Sequence, residues 1–74
     1  MKGVFFMNIT RYQINYFIRG SQHNYSIVGF HGMRKFELLD IFRETLDKKE
    51  LKIKDGTIYK DKNIVGFYEI AKIR

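Results

Sequence analysis

Cysteine, proline and tryptophan are absent from the 74 residues, and alanine occurs once, as Ala71. Without cysteine there is no disulfide framework and no thiolate metal site. That excludes the knottin-type scaffolds that many short secreted chains adopt. Without proline, no strand edge is protected by a missing N–H. Long hydrophobic runs are lacking too. Val4 to Met7 is an apolar run too short for a signal-peptide core, and Ile64 to Tyr68 is too short to span a bilayer. These absences lead us to expect a cytoplasmic protein with no membrane partner, in the host cytoplasm if the gene is carried by a phage.

The length allows one domain, residues 1–74, with a core so small that each large apolar side chain matters. A multidomain enzyme is excluded. Hydrophobic residues make up 45% and aromatics 16%, a composition that folds. Phe, Ile, Lys, Tyr and Asn supply 35 of the 74 residues. All five have AT-rich codons, so the expected source is a low-GC bacterium, its phage or another mobile element. Lys2-Gly3-Val4 is encodable by a ribosome-binding sequence, and Met7 follows at about the usual distance. Residues 1–6 are therefore expected to be a translated upstream extension, with the true start at Met7. The plain alternative is that Val4, Phe5 and Phe6 begin the first strand.

Alternation of residue types predicts a strand over 8–19, with Tyr12, Ile14, Tyr16 and Ile18 on one face. Arg11, Gln13, Asn15, Phe17 and Arg19 take the other. Gly20 to Asn24 reads as a turn, and 25–30 as a second strand whose facing is ambiguous, because Tyr25 and Ile27 oppose Val28 and Phe30. The spacing of Phe36, Leu39, Phe42 and Leu46, widened by Leu38, predicts a helix over 33–48. Asp55-Gly56 between Leu51–Lys54 and Thr57–Lys60 predicts a two-residue hairpin. In its register Ile53 faces Ile58 inward, while Lys54 faces Thr57 and Lys52 faces Tyr59 outward. Asp61-Lys62-Asn63 is a second turn, and 64–73 a last strand with Ile64, Tyr68 and Ile70 inward and Glu69 outward. The expected fold is α+β, a single small domain of order β-β-α-β-β-β, with one helix packed on one face of an antiparallel sheet.

Charge is unevenly placed. The net charge is +6, yet residues 33–47 carry a net −1. Glu37, Asp40, Glu44 and Asp47 form an acidic helix face, which argues against a major-groove recognition helix. Arg43 lies within helical reach of Asp40 and Asp47, so the stripe reads as a hydrated, locally paired surface. The sheet side holds a candidate binding surface of Arg11, Phe17, Arg19, Lys52, Lys54, Tyr59 and Phe67. Cations mixed with flat rings suit phosphates and bases. The same residues also read as solubilising lysines beside rings that pack on a partner.

Catalytic signals are weak. His23 and His31 stand in turn-like contexts without HxH or HxxxH spacing, so no metal ligand set is assigned. Gly29-Phe30-His31-Gly32 precedes the helix and offers backbone amides to an anion only in a generic way. Gly29 and Gly66, inside strands, mark a bulge or a close approach. No catalytic residue or cofactor is assigned, and an enzyme is not expected. The favoured function is a small accessory protein that inhibits or modulates a host protein. The alternative is a nucleic-acid-binding protein that uses the basic, aromatic sheet face. A homodimer through a sheet edge or the open face is the third possibility.

Overall fold

The computed structural model describes residues 10–73. Strand β1 runs Arg11–Ile18, β2 Asn24–Val28, helix α1 Lys35–Asp47, β3 Lys52–Lys54, β4 Thr57–Lys60 and β5 Asn63–Ile73. The expected start at Met7, the extension 1–6 and the first residues of the predicted strand 8–19 lie outside the described residues. The five strands form one antiparallel sheet in the order β2-β1-β5-β4-β3. This is the α+β fold with one covering helix. β5 is the strand that joins the halves. Its first residues pair with β4 and its later ones with β1. α1 leaves the β2 edge and returns at the β3 edge, so it crosses the sheet on its way.

The alternating pattern of β1 puts Ile14 at the centre of the helix side, fully buried and flanked across the strands by Ile27 and Ile70. Tyr25 and Ile27 pair with Tyr16 and Ile14, which settles the facing of β2 and leaves Val28 on the open side. Phe42 descends from the helix between Tyr16 and Tyr68, with ring centroids 4.9 and 5.3 Å away. Tyr16 also stacks on Tyr25 at 5.2 Å. Leu38, Leu46, Met33, Leu51 and Ile58 complete the buried cluster.

The helix is bounded by specific local chemistry. The Glu37 carboxylate accepts the Arg34 backbone N–H at 2.8 Å, which satisfies one orphan donor of the first turn. Met33 just before this cap and Leu38 in the first turn are both buried, the arrangement of a hydrophobic staple. At the other end Leu51 N–H donates to the Leu46 carbonyl and Glu50 N–H to the Asp47 carbonyl, a Schellman pair. Glu50 takes the left-handed position, φ 61°. Asp55 and Gly56 both have positive φ, 46° and 84°, as a tight hairpin turn of this kind requires. The predicted register of Lys52, Ile53 and Lys54 against Tyr59, Ile58 and Thr57 is the observed one.

Several expectations need correction. Phe36 does not belong to the buried helix face. It is 57% exposed, and the Arg34 guanidinium lies 6.0 Å from its ring. The buried stripe is Leu38, Phe42 and Leu46, with Leu39 half-buried. Phe36 lies about 200° around the helix from Leu38. Ile64 faces the open side, not the core, and is 44% exposed. The register slips at Ile58/Tyr59, where Ile58 pairs with Gly66 and Tyr59 with Ile64. Val65 is the extra residue, half-buried against the core, and its carbonyl accepts Arg19 N–H at 2.6 Å. The bulge turns Ile64 outward while Tyr68 and Ile70 stay inward and Glu69 outward. The second strand ends at Val28 instead of residue 30, and the second turn is Asp61-Lys62, because Asn63 already pairs with Lys60.

Candidate binding face

The helix covers one face of the sheet, so the other is where side chains are free to meet a partner. Register places Asn24, Phe17, Phe67, Thr57 and Lys54 in one row that crosses all five strands. Neighbours in such a row are about 4.8 Å apart along the sheet. Phe17 and Phe67 are direct cross-strand partners at its centre, yet 41% and 57% exposed. Both rings contact water because no second layer lies above them among the described residues. A shallow depression of about 340 Å³ opens beside them, bordered by Asn15, Asn24 and Glu69 as well as the rings. A second row places Lys52, Tyr59 and Ile64 together. Gln13 Nε2 donates to Asn15 Oδ1 at 2.8 Å, further along the same face.

The predicted surface is thus only partly one site. Phe17, Phe67, Lys54 and Tyr59 share adjoining rows, and Arg19 follows Phe17 past the end of β1. Arg11 starts that strand, six positions from Phe17, which is about 20 Å along an extended chain. Lys52 sits on the edge strand, and its Nζ reaches around to Asp47 Oδ1 on the helix at 3.0 Å. It therefore serves the acidic helix face as much as the sheet. Glu69 opposes Asn15 next to the phenylalanine row and puts a carboxylate in the middle of the supposedly basic face. The candidate surface of cations and rings left out Glu69, Asn15 and Asn24, although Glu69 was expected outward and Asn15 on the face of Phe17. The strand alternation that set Phe17 outward carried the signal for Asn15.

The acidic residues lie on the outside of the helix. Glu37, Asp40, Glu44 and Asp47 are all exposed. Arg43 pairs with Asp40 at 3.2 Å, while Asp47 takes Lys52 instead of Arg43. These pairs border a groove between α1 and β3, about 500 Å³ and lined also by Glu44 and Ile53. Exposed pairs of this type contribute about 0–1 kcal/mol each.

The glycine segment before the helix spends both of its glycine amides on backbone carbonyls. Gly29 N–H is spent on the Tyr12 carbonyl, Gly32 N–H on Thr10 and Met33 N–H on Phe30. His23 and His31 are exposed on turns. Among the described residues no three of His, Cys, Asp and Glu converge on a point, and no helix is long and apolar enough to cross a membrane. The Tyr16 hydroxyl is a weakened acid. Burial raises its pKa, and the neighbouring Tyr25 hydroxyl adds to the effect. The Tyr16 ring itself packs against Phe42 of the helix. Compared with known proteins, the chain matches no family model, no curated protein and no solved structure.

Proposed function

We propose that this chain is a non-enzymatic binding module that modulates a host protein through the open face of its sheet. The observation that supports this reading is the exposed Phe17–Phe67 pair at the centre of that face. Its rim is polar and of both charge signs, with Asn15, Asn24, Thr57, Lys54 and Glu69. An apolar aromatic centre inside a polar rim is the anatomy of a protein interface, where aromatic anchors dominate the binding energy. A nucleic-acid platform would favour a continuous cationic track. Here Glu69 interrupts the track, Lys52 is paired with Asp47 and Arg11 stands at the far end. Origin in a low-GC bacterium or one of its phages or mobile elements belongs to this proposal and rests on codon-linked composition.

The test places a photo-crosslinking amino acid at position 15, beside the rings, in the full chain expressed in a low-GC bacterial host. The expected result is one nuclease-resistant protein adduct that disappears in Phe17→Ala/Phe67→Ala while the circular dichroism of the chain is unchanged. Retention of the adduct in the double variant would refute the use of this face. In parallel, single-stranded oligonucleotides are titrated at low and moderate salt. Salt-dependent binding that Lys54→Glu weakens would establish the nucleic-acid reading instead.

A further inference from the structure

The two edges of the sheet differ in a way that open-face recognition does not require. β3 is a three-residue edge with Lys52 and Lys54 on it, short and charged as protected edges are. β2 is longer and carries no charge. The absence extends well beyond the strand, because no Lys, Arg, Asp or Glu occurs from Gly20 to Met33 in a chain that is 30% charged. The same stretch exposes Tyr25, Val28 and Phe30, the last to 66%.

The hydrogen-bond phase of this edge follows from one contact. Gly29 N–H donates to the Tyr12 carbonyl at 2.9 Å, so Tyr12–Gly29 occupies a bonded position of the β1–β2 ladder. Antiparallel pairs alternate between bonded and non-bonded positions. Ile14–Ile27 and Tyr16–Tyr25 are then bonded pairs, and Gln13–Val28, Asn15–Ser26 and Phe17–Asn24 are not. The N–H and C=O of Asn24, Ser26 and Val28 therefore point away from β1. Among the described residues no strand lies beyond β2 and no backbone hydrogen bond reaches those groups.

We propose that two copies of this chain join edge to edge by antiparallel pairing of β2 about a two-fold axis at Ser26. In that register Ser26 opposes Ser26 of the second copy and Asn24 opposes Val28, so every outward donor meets an outward acceptor. Tyr25 lies across from Ile27 on the helix side, an aromatic–β-branched pair of the stabilising kind. A second copy is favoured over a foreign strand by charge. Two molecules of net charge +6 repel each other, and this uncharged edge is where they approach without placing like charges together. An acidic foreign partner would be drawn to the cations elsewhere on the molecule, and β2 carries none. The axis stands perpendicular to the sheet, so both helices stay on one side. Both Phe17–Phe67 pairs then share one continuous open face. The pairing stands independently of what that face binds.

A single strand edge with a few apolar side chains is a small interface, so the expected dissociation constant is micromolar. Sedimentation velocity over a micromolar dilution series should show wild-type chains passing from dimer to monomer. Ser26→Lys and Ser26→Glu each put two like charges on the axis and should weaken self-association by about tenfold or more. Mixing the two variants should restore a dimer that contains one of each. A wild-type chain that stays monomeric throughout, or a Ser26→Lys variant that dimerises as well as wild type, overturns the proposal. Amide shifts of the wild-type chain on dilution provide a check that needs no variant. Asn24, Ser26 and Val28 should move, and movement confined to Lys52–Lys54 would refute the assignment of the edge.

Discussion

At Gly66 a methyl group would collide with the backbone carbonyl oxygen of Phe17 on the neighbouring strand β1. The obstacle is backbone, so a side chain cannot simply rotate away. Gly66 is also buried between Ile18 and Ile58, next to the bulge. Gly66→Ala is therefore expected to cost about 3 kcal/mol or more, a large part of the stability of so small a domain. Urea unfolding followed by circular dichroism measures it, and a loss under about 1 kcal/mol would contradict the close approach. Tyr16 gives a second, pH-dependent expectation at this scale. Its pKa is raised in the fold above the unfolded value of about 10. The folded state thus holds the phenol proton longer than the unfolded chain does. The associated stability is fully present below about pH 10 and is lost as pH rises through the folded pKa. Stability of the wild type should fall more steeply above pH 10 than that of Tyr16→Phe, and parallel curves would contradict the burial of the hydroxyl.

The helix shows how local chemistry and tertiary packing divide one element between them. Its acidic exterior, its approximate span and the burial of Phe42 and Leu46 are legible from residue spacing. The exposure of Phe36 is not, because spacings of three and four admit both Phe36–Leu39–Phe42 and Leu38–Phe42–Leu46, and the sheet takes the second stripe. Its C-terminus contains a correctable flaw. Glu50 occupies a left-handed position that costs a residue with a Cβ about 1 kcal/mol and a glycine almost nothing. Glu50→Gly should therefore stabilise the chain by about 1 kcal/mol, seen as a higher urea midpoint with an unchanged slope. The hairpin beside it is the opposite case. Asp55 and Gly56 dictate a tight turn, the turn dictates the register, and the register holds without any distant contact.

For the whole molecule the decisive element is β5, which pairs with β4 through residues 63–67 and with β1 through residues 66–73. The buried cluster includes Ile14 from β1, Ile58 from β4 and Phe42 from the helix, so neither hairpin has a core of its own. Loss of secondary structure and loss of tyrosine fluorescence should coincide in one unfolding transition. Two separated transitions would mean that the β1–β2 hairpin detaches on its own. The candidate face has the same non-local origin. Its cations were recognisable one by one, but the Phe17–Phe67 pairing exists only because β5 inserts between β1 and β4. Glu69 enters the face through that same pairing.

The chain alone determined what is encoded between near neighbours. The β-β-α-β-β-β order, the alternation of β1, the Asp55-Gly56 hairpin and the acidic helix face all follow from intervals of a few residues, where backbone stereochemistry and side-chain period act directly. Strand order, the bulge that turns Ile64 outward, the diversion of Lys52 to Asp47 and the contrast between the β2 and β3 edges were decided by the tertiary structure. Each depends on which distant strands become neighbours, and that choice belongs to the burial of the whole core around Phe42, which no local pattern contains.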